Sequence, residues 1–116
     1  MAEKIFNLAE RTAQFACEIR ELIKSLPRTV ASIEDIKQLT RSSGSVAANY
    51  LEADEAVSKP DFIHKIKICK KEARESGLWL SLLPKVQVTA TKHDHLIQES
   101  KELVRIFEVI VRNTKL

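Results

Sequence analysis

Residues 61–83 read DFIHKIKICKKEARESGLWLSLL. Within this stretch Phe62, Ile66, Cys69, Ala73, Ser76, Leu80 and Leu83 recur at alternating steps of four and three. That spacing lines one face of an α-helix and forms the seam of a helical bundle. Ser58, Pro60 and Asp61 open the helix and Pro84 ends it, because proline is tolerated in a first helical turn and not in the interior.

Moving outward, the segment before it carries Ile36, Leu39, Ser43, Val46, Ala47, Tyr50 and Ala53 on one stripe. SIED at its start offers Ser32 as N-cap, with Asp35 in the capping-box position. Earlier still, Phe15, Ala16, Ile19, Leu22, Ile23 and Leu26 line a helix that begins near Asn7 and must stop by Pro27. Beyond Pro84 the polar connection KVQVTATKHD leads to Leu96, Ser100, Leu103, Phe107 and Ile110, flanked by Ile97, Val104 and Val111. The expected helices cover 7–26, 32–56, 59–83 and 92–114, within one domain spanning 1–116. Four amphipathic helices with short links pack most simply as an all-α, antiparallel up-down-up-down four-helix bundle.

Bulk properties agree. A chain of 116 residues can bury one modest core. Only 2 Gly and 3 Pro leave little room for hairpins. No apolar run approaches the roughly 20 residues needed to cross a bilayer, and MAEKIFNLAERTAQF lacks the apolar centre of a signal peptide. The expectation is a cytoplasmic protein, with Cys17 and Cys69 as two buried thiols rather than a disulfide. A net charge of +3 and a pI near 9.0 permit a nucleic-acid partner without requiring one.

The stretch RSSGSVAANYLEADEA, residues 41–56, puts small residues where a helix is weakened. Gly44 alone costs roughly 1 kcal/mol against Ala. The cost makes sense if another backbone approaches closely. Either this is a thin helix tightly packed in its bundle, or a neighbouring subunit covers its second side. Arg41, Ser45 and Glu52 fall opposite the apolar stripe, with Asn49 at the shoulder. On the next helix Ile68, Glu72, Glu75, Trp79 and Leu82 share a secondary face. A Trp among carboxylates suits a protein interface, or else a broad core absorbs it. Arg41, Ser45, Asn49, Glu52, Glu72, Glu75 and Trp79 are therefore candidates for an oligomer interface or a structural polar network.

Lys67, Lys70, Lys71, Arg74 and Lys85 form a basic sector, a candidate phosphate-binding surface whose plain alternative is a solvated helix face. Aromatic content is 5% and no aromatic interleaves with these cations. Structured RNA read through its backbone therefore fits better than stacked single strands. His93-Asp94-His95 with Glu99 is a weak metal signal in a polar connection, read as a surface loop. His64 has no partner at ligand spacing. With glycine only at 44 and 77, no phosphate loop can be built. Glu52, Glu72 and Glu75 lack the Glu-x-x-His repeat of di-iron bundles. No catalytic residue, metal or cofactor is expected.

QLTRSSGSVAANYLEADEA followed by DFIHKIKICKKEARESGLWLSLL resembles the four-helix-bundle family encoded in intervening sequences of bacterial 23S ribosomal RNA genes. On the second helix the matching positions are Gln38, Leu39, Arg41, Ser45, Val46, Asn49, Glu52 and Ala53. On the third they are Asp61, Phe62, Lys71, Glu72, Glu75, Trp79 and Leu80, with Glu99 following later. Ala53 stands where many members have glycine, and Ser76-Gly77 is looser than usual. The resemblance implies a homo-oligomeric ring, commonly a pentamer, in which the polar residues cement interfaces. It also implies a distant likeness to basic accessory proteins that bind the reverse transcriptase and RNA of diversity-generating retroelements. Partners would be further copies of itself and structured RNA or an RNA-handling protein; the competing reading is a protein-interaction scaffold without RNA.

Overall fold

In the computed structural model, which describes residues 7–114, the Asn7 side chain accepts from the Glu10 amide at 3.2 Å and starts helix α1, Leu8–Ile23. Helix α2 is Val30–Asp54, α3 is Lys59–Leu82 and α4 is Ala90–Asn113, entered through a 3-10 turn at Gln87–Thr89. Ser58 caps α3 with Pro60 in the first turn, as its sequence indicates. The cap of α2 differs from expectation. It is Thr29, whose hydroxyl accepts from the Ser32 amide at 3.1 Å while Ser32 Oγ accepts from the Thr29 amide at 2.7 Å. Ser32 thus holds the position where a capping box usually places Glu or Gln, and the helix begins earlier than SIED suggests.

Registers across the seams show that successive helices run antiparallel. From α2 to α3 the chain pairs Arg41 with Glu75, Ser42 with Ser76, Val46 with Cys69 and Glu52 with Lys65. From α3 to α4 it pairs Lys70 with Glu108 and Leu80 with His93. The α1–α4 edge is closed by Arg11 to Glu99 and Glu102, Lys92 to Glu18, and Ser25 to Thr89. Backbones approach less often along that edge than along the other three.

Phe15, Ile19, Leu22, Leu39, Ile66, Leu80, Leu96, Leu103 and Phe107 make the buried centre. Between α2 and α3 the core is polar and small. Ser42 and Ser76 are fully buried and share a hydrogen bond at 2.8 Å, while Ser76 also bonds the Glu72 carbonyl at 2.9 Å. Each buried hydroxyl has a partner, so these residues let two helices close without orphaned groups. Serine, rather than glycine, answers the question raised by the small-residue stretch.

Gly44 does not sit under another backbone. A Cβ there would meet only the Arg20 guanidinium, at 3.1 Å. Because that group ends a flexible side chain, Gly44→Ala is expected to stabilise the protein by about 0.5–1 kcal/mol, read from the urea midpoint. A lower midpoint would mean that Arg20, bonded to the Thr40 and Ala16 carbonyls, cannot yield. The close approach lies instead at Gly77, where a Cβ would come within 2.7 Å of Ser100 Oγ on α4.

Two further expectations change. Cys69 is buried but Cys17 is exposed on α1. Burial pushes the Cys69 thiol up to about 12, so an alkylating reagent at mildly alkaline pH should modify Cys17 alone in the native protein. Labelling of Cys69 should appear only on unfolding; equal native labelling would contradict its burial. His93, read above as a surface-loop residue, is fully buried in the first turns of α4, with Nε2 2.7 Å from the Leu80 carbonyl. The helical partner of that carbonyl would be the amide of residue 84, and Pro84 has none. His93 supplies the missing donor. No helix among the described residues is long and apolar enough to cross a membrane.

Candidate nucleic-acid interface

The α2–α3 seam gathers part of the expected polar set. Arg41 lies 3.0 Å from Glu75 and 3.2 Å from Glu72 Oε1, and its Nε donates to Gln38. Glu72 is 6% exposed, so this guanidinium supplies the countercharge that a buried carboxylate requires. The hydrogen bond to Glu72, with the field of both carboxylates, holds Arg41 above its ordinary range. Glu72 Oε1 is within ion-pair reach but outside hydrogen-bonding geometry. Trp79 packs against the core with its indole N–H buried and lacking an acceptor.

Asn49, Ser45 and Glu52 stand outside this buried pairing. Asn49 donates to the Ser45 carbonyl and hydroxyl at 2.9 and 3.0 Å, within α2. Glu52 is 63% exposed by side chain and pairs with Lys65 at 2.8 Å. It belongs to the surface rather than to a buried network.

The basic sector also divides. Lys70 turns to Glu108 at 3.6 Å, and Lys85 lies past the end of α3, paired with Asp94. Placing Lys85 on the helical face is therefore incorrect: the extended backbone at Leu83 has already ended the helix. Lys67, Lys71 and Arg74 remain, exposed and without an ion-pair partner among the described residues. At about 100° per residue they share one side of α3. Lys101 and Arg105 on α4, also exposed and without an ion pair among the described residues, extend the charge onto the next helix. Sequence reasoning missed this pair. The available signal was their i, i+4 spacing on the side of α4 away from Leu96, Leu103 and Phe107.

Arg74 and Lys101 flank a groove between α3 and α4 with a volume of about 400 Å³, floored by Gly77, Leu78, Ile97 and Val104. No carboxylate lines it. Among the described residues no cluster of His, Cys, Asp and Glu is arranged to hold a metal ion. Glu52 is directed to Lys65 while Glu72 and Glu75 are directed to Arg41, so the three carboxylates do not converge. What the arrangement offers chemically is fixed positive charge beside a short apolar cleft.

A family model described as 23S rRNA-intervening sequence protein matches residues 5–108. Among solved structures the chain is similar to a protein of unknown function from the S23 ribosomal protein family of Bacteroides thetaiotaomicron. The two are 30% identical, with 90% of this chain and 98% of that one covered and a TM-score of 0.76. No match was found among curated proteins.

Proposed function

The chain belongs to the 23S rRNA-intervening sequence protein family, and from that premise we propose that it is a non-enzymatic, self-associating cytoplasmic adaptor that holds structured RNA by its phosphate backbone. The observation that carries this reading is the α3–α4 face, where Lys67, Lys71, Arg74, Lys101 and Arg105 stand exposed with no ion pair among the described residues. Cations left free in this way can release the counterions that phosphates condense, the main source of sequence-independent affinity. One such face is a weak site. Repeated around a ring, commonly a pentamer in proteins of this resemblance, it would gain affinity by avidity without any new contact. The α2–α3 face is the assembly surface in this reading, since the Trp79 ring there is only half-buried and a second copy can cover its open part.

Native mass spectrometry of protein purified without nuclease tests both halves. The expected spectrum is a closed oligomer carrying RNA that leaves as salt rises. A monomer would remove the ring, and an oligomer that neither retains RNA nor binds added RNA would remove the adaptor. Leu51 and Leu82, each 57% exposed, favour the second reading, a protein-interaction scaffold, and a clean ring would transfer the function to it.

A further inference from the structure

We infer that the α3–α4 groove takes a single unpaired base of a structured RNA, with the adjoining phosphates held by Arg74 and Lys101. This rests on the RNA reading above and adds the element of RNA structure that is recognised. Backbone charge alone does not distinguish a regular duplex from one with a bulged nucleotide. The groove supplies what could. Its floor is apolar, contributed by Gly77, Leu78, Ile97 and Val104, and its rim carries two cations and no carboxylate. An unstacked nucleotide presents the same combination, a flat weakly polar base between two anions.

The length of the groove argues for one base over a protein helix. It runs from Arg74 to Ser81 on one side and from Ile97 to Val104 on the other, about 10 Å at 1.5 Å per residue. The Lys70–Glu108 pair bridges α3 and α4 on one side of it, and on the other Lys85, just past the end of α3, pairs with Asp94. A docked amphipathic helix needs a trough that continues past its anchors, whereas this cleft is bounded at both ends.

A hydroxyl adds selectivity. Ser81 donates to the Gly77 carbonyl at 2.8 Å and Ser100 to the Ile97 carbonyl at 2.7 Å. Ser100 is buried, so the exposed Ser81, its proton committed to Gly77, is the hydroxyl that can offer a ligand acceptor lone pairs. Adenine's exocyclic amino group can donate there, whereas uracil's one edge donor, N3–H, is flanked by two carbonyl acceptors that would meet the same lone pairs.

The experiment compares the whole protein binding three RNA duplexes of equal length: fully paired, with one bulged adenosine, and with one bulged uridine. Ser81→Phe, at an exposed position, fills the groove; Ser81→Ala leaves it open, and thermal melts check the fold of both. The expected result is an affinity about tenfold higher for bulged adenosine than for paired RNA, with uridine between. Ser81→Phe should abolish the preference without changing paired binding, while Ser81→Ala should keep the preference for bulged over paired RNA and lose the margin of adenosine over uridine. Equal affinity for bulged and paired duplexes overturns the inference and leaves the adaptor reading standing. A preference that survives Ser81→Phe also overturns it, by placing the base elsewhere. Failure to bind any duplex overturns both readings, and an acidic amphipathic peptide that binds in a Ser81→Phe-sensitive manner without bulge preference assigns the groove to a protein partner.

Discussion

His93→Ala is expected to destabilise the protein by roughly 3–5 kcal/mol, combining an orphaned buried carbonyl with a cavity. The imidazole is fully buried and its Nε2 lies 2.7 Å from the Leu80 carbonyl. Pro84 has no amide to offer that carbonyl, so nothing local replaces the bond. Domain stabilities are about 5–15 kcal/mol in total, and the loss would bring the midpoint of urea unfolding close to native conditions. His93→Leu separates the two contributions, since it restores most of the volume without a donor. Leucine should recover the cavity part and leave a deficit of about 1–3 kcal/mol. A His93→Leu protein as stable as the parent would mean that the Leu80 carbonyl finds water or another donor.

Reversing Lys67, Arg74 and Lys101 together to Glu is expected to remove most RNA binding while the fold persists. None of the three takes part in an ion pair among the described residues, so the structure loses no partner when their sign changes. If each contacts one phosphate, the slope of log affinity against log salt should fall by about 0.9 per contact, or somewhat under 3 for the set. Lys85→Glu is the control. Its ammonium is already paired with Asp94 beyond the end of α3, and its replacement should change the slope far less. An unaltered slope in the triple variant, with unfolding curves matching the parent, would show that this face is not where RNA binds.

The helices were readable because their limits are chemical. Pro27 and Pro84 forbid continuation, Ser58 supplies a cap, and the stripe from Phe62 to Leu83 is buried or half-buried where the heptad places it. The start of α2 was not, because a capping box closed by Ser32 in place of a carboxylate looks like an N-cap in sequence. His93 was hidden by polar neighbours, although it lies three residues before Leu96 on the same stripe. The candidate interface was only half legible. Helical spacing groups Lys67, Lys71 and Arg74, but that Lys70 and Lys85 meet Glu108 and Asp94 depends on how α4 lies against α3. The groove at Gly77 depends on the same packing, and no pattern within either helix announces it.

One edge of the bundle behaves unlike the rest. Where the other helix pairs close by backbone proximity, α1 meets α4 largely through long side chains: Arg11 to Glu99 and Glu102, and Lys92 to Glu18. Glu18 is held below the ordinary carboxylate range by the Gln14 amide first and by Lys92 after it. Its contribution is complete above that range and is lost as the pH falls through the lowered value. Added salt weakens the same contacts by screening. Acid and ionic strength therefore act on a common fore-edge, along which α1 parts from α4 like a cover hinged on α2. Hydrogen exchange would find α1 the first leaf to lift, as the cooperative unit of lowest local stability, with the remaining three helices still closed.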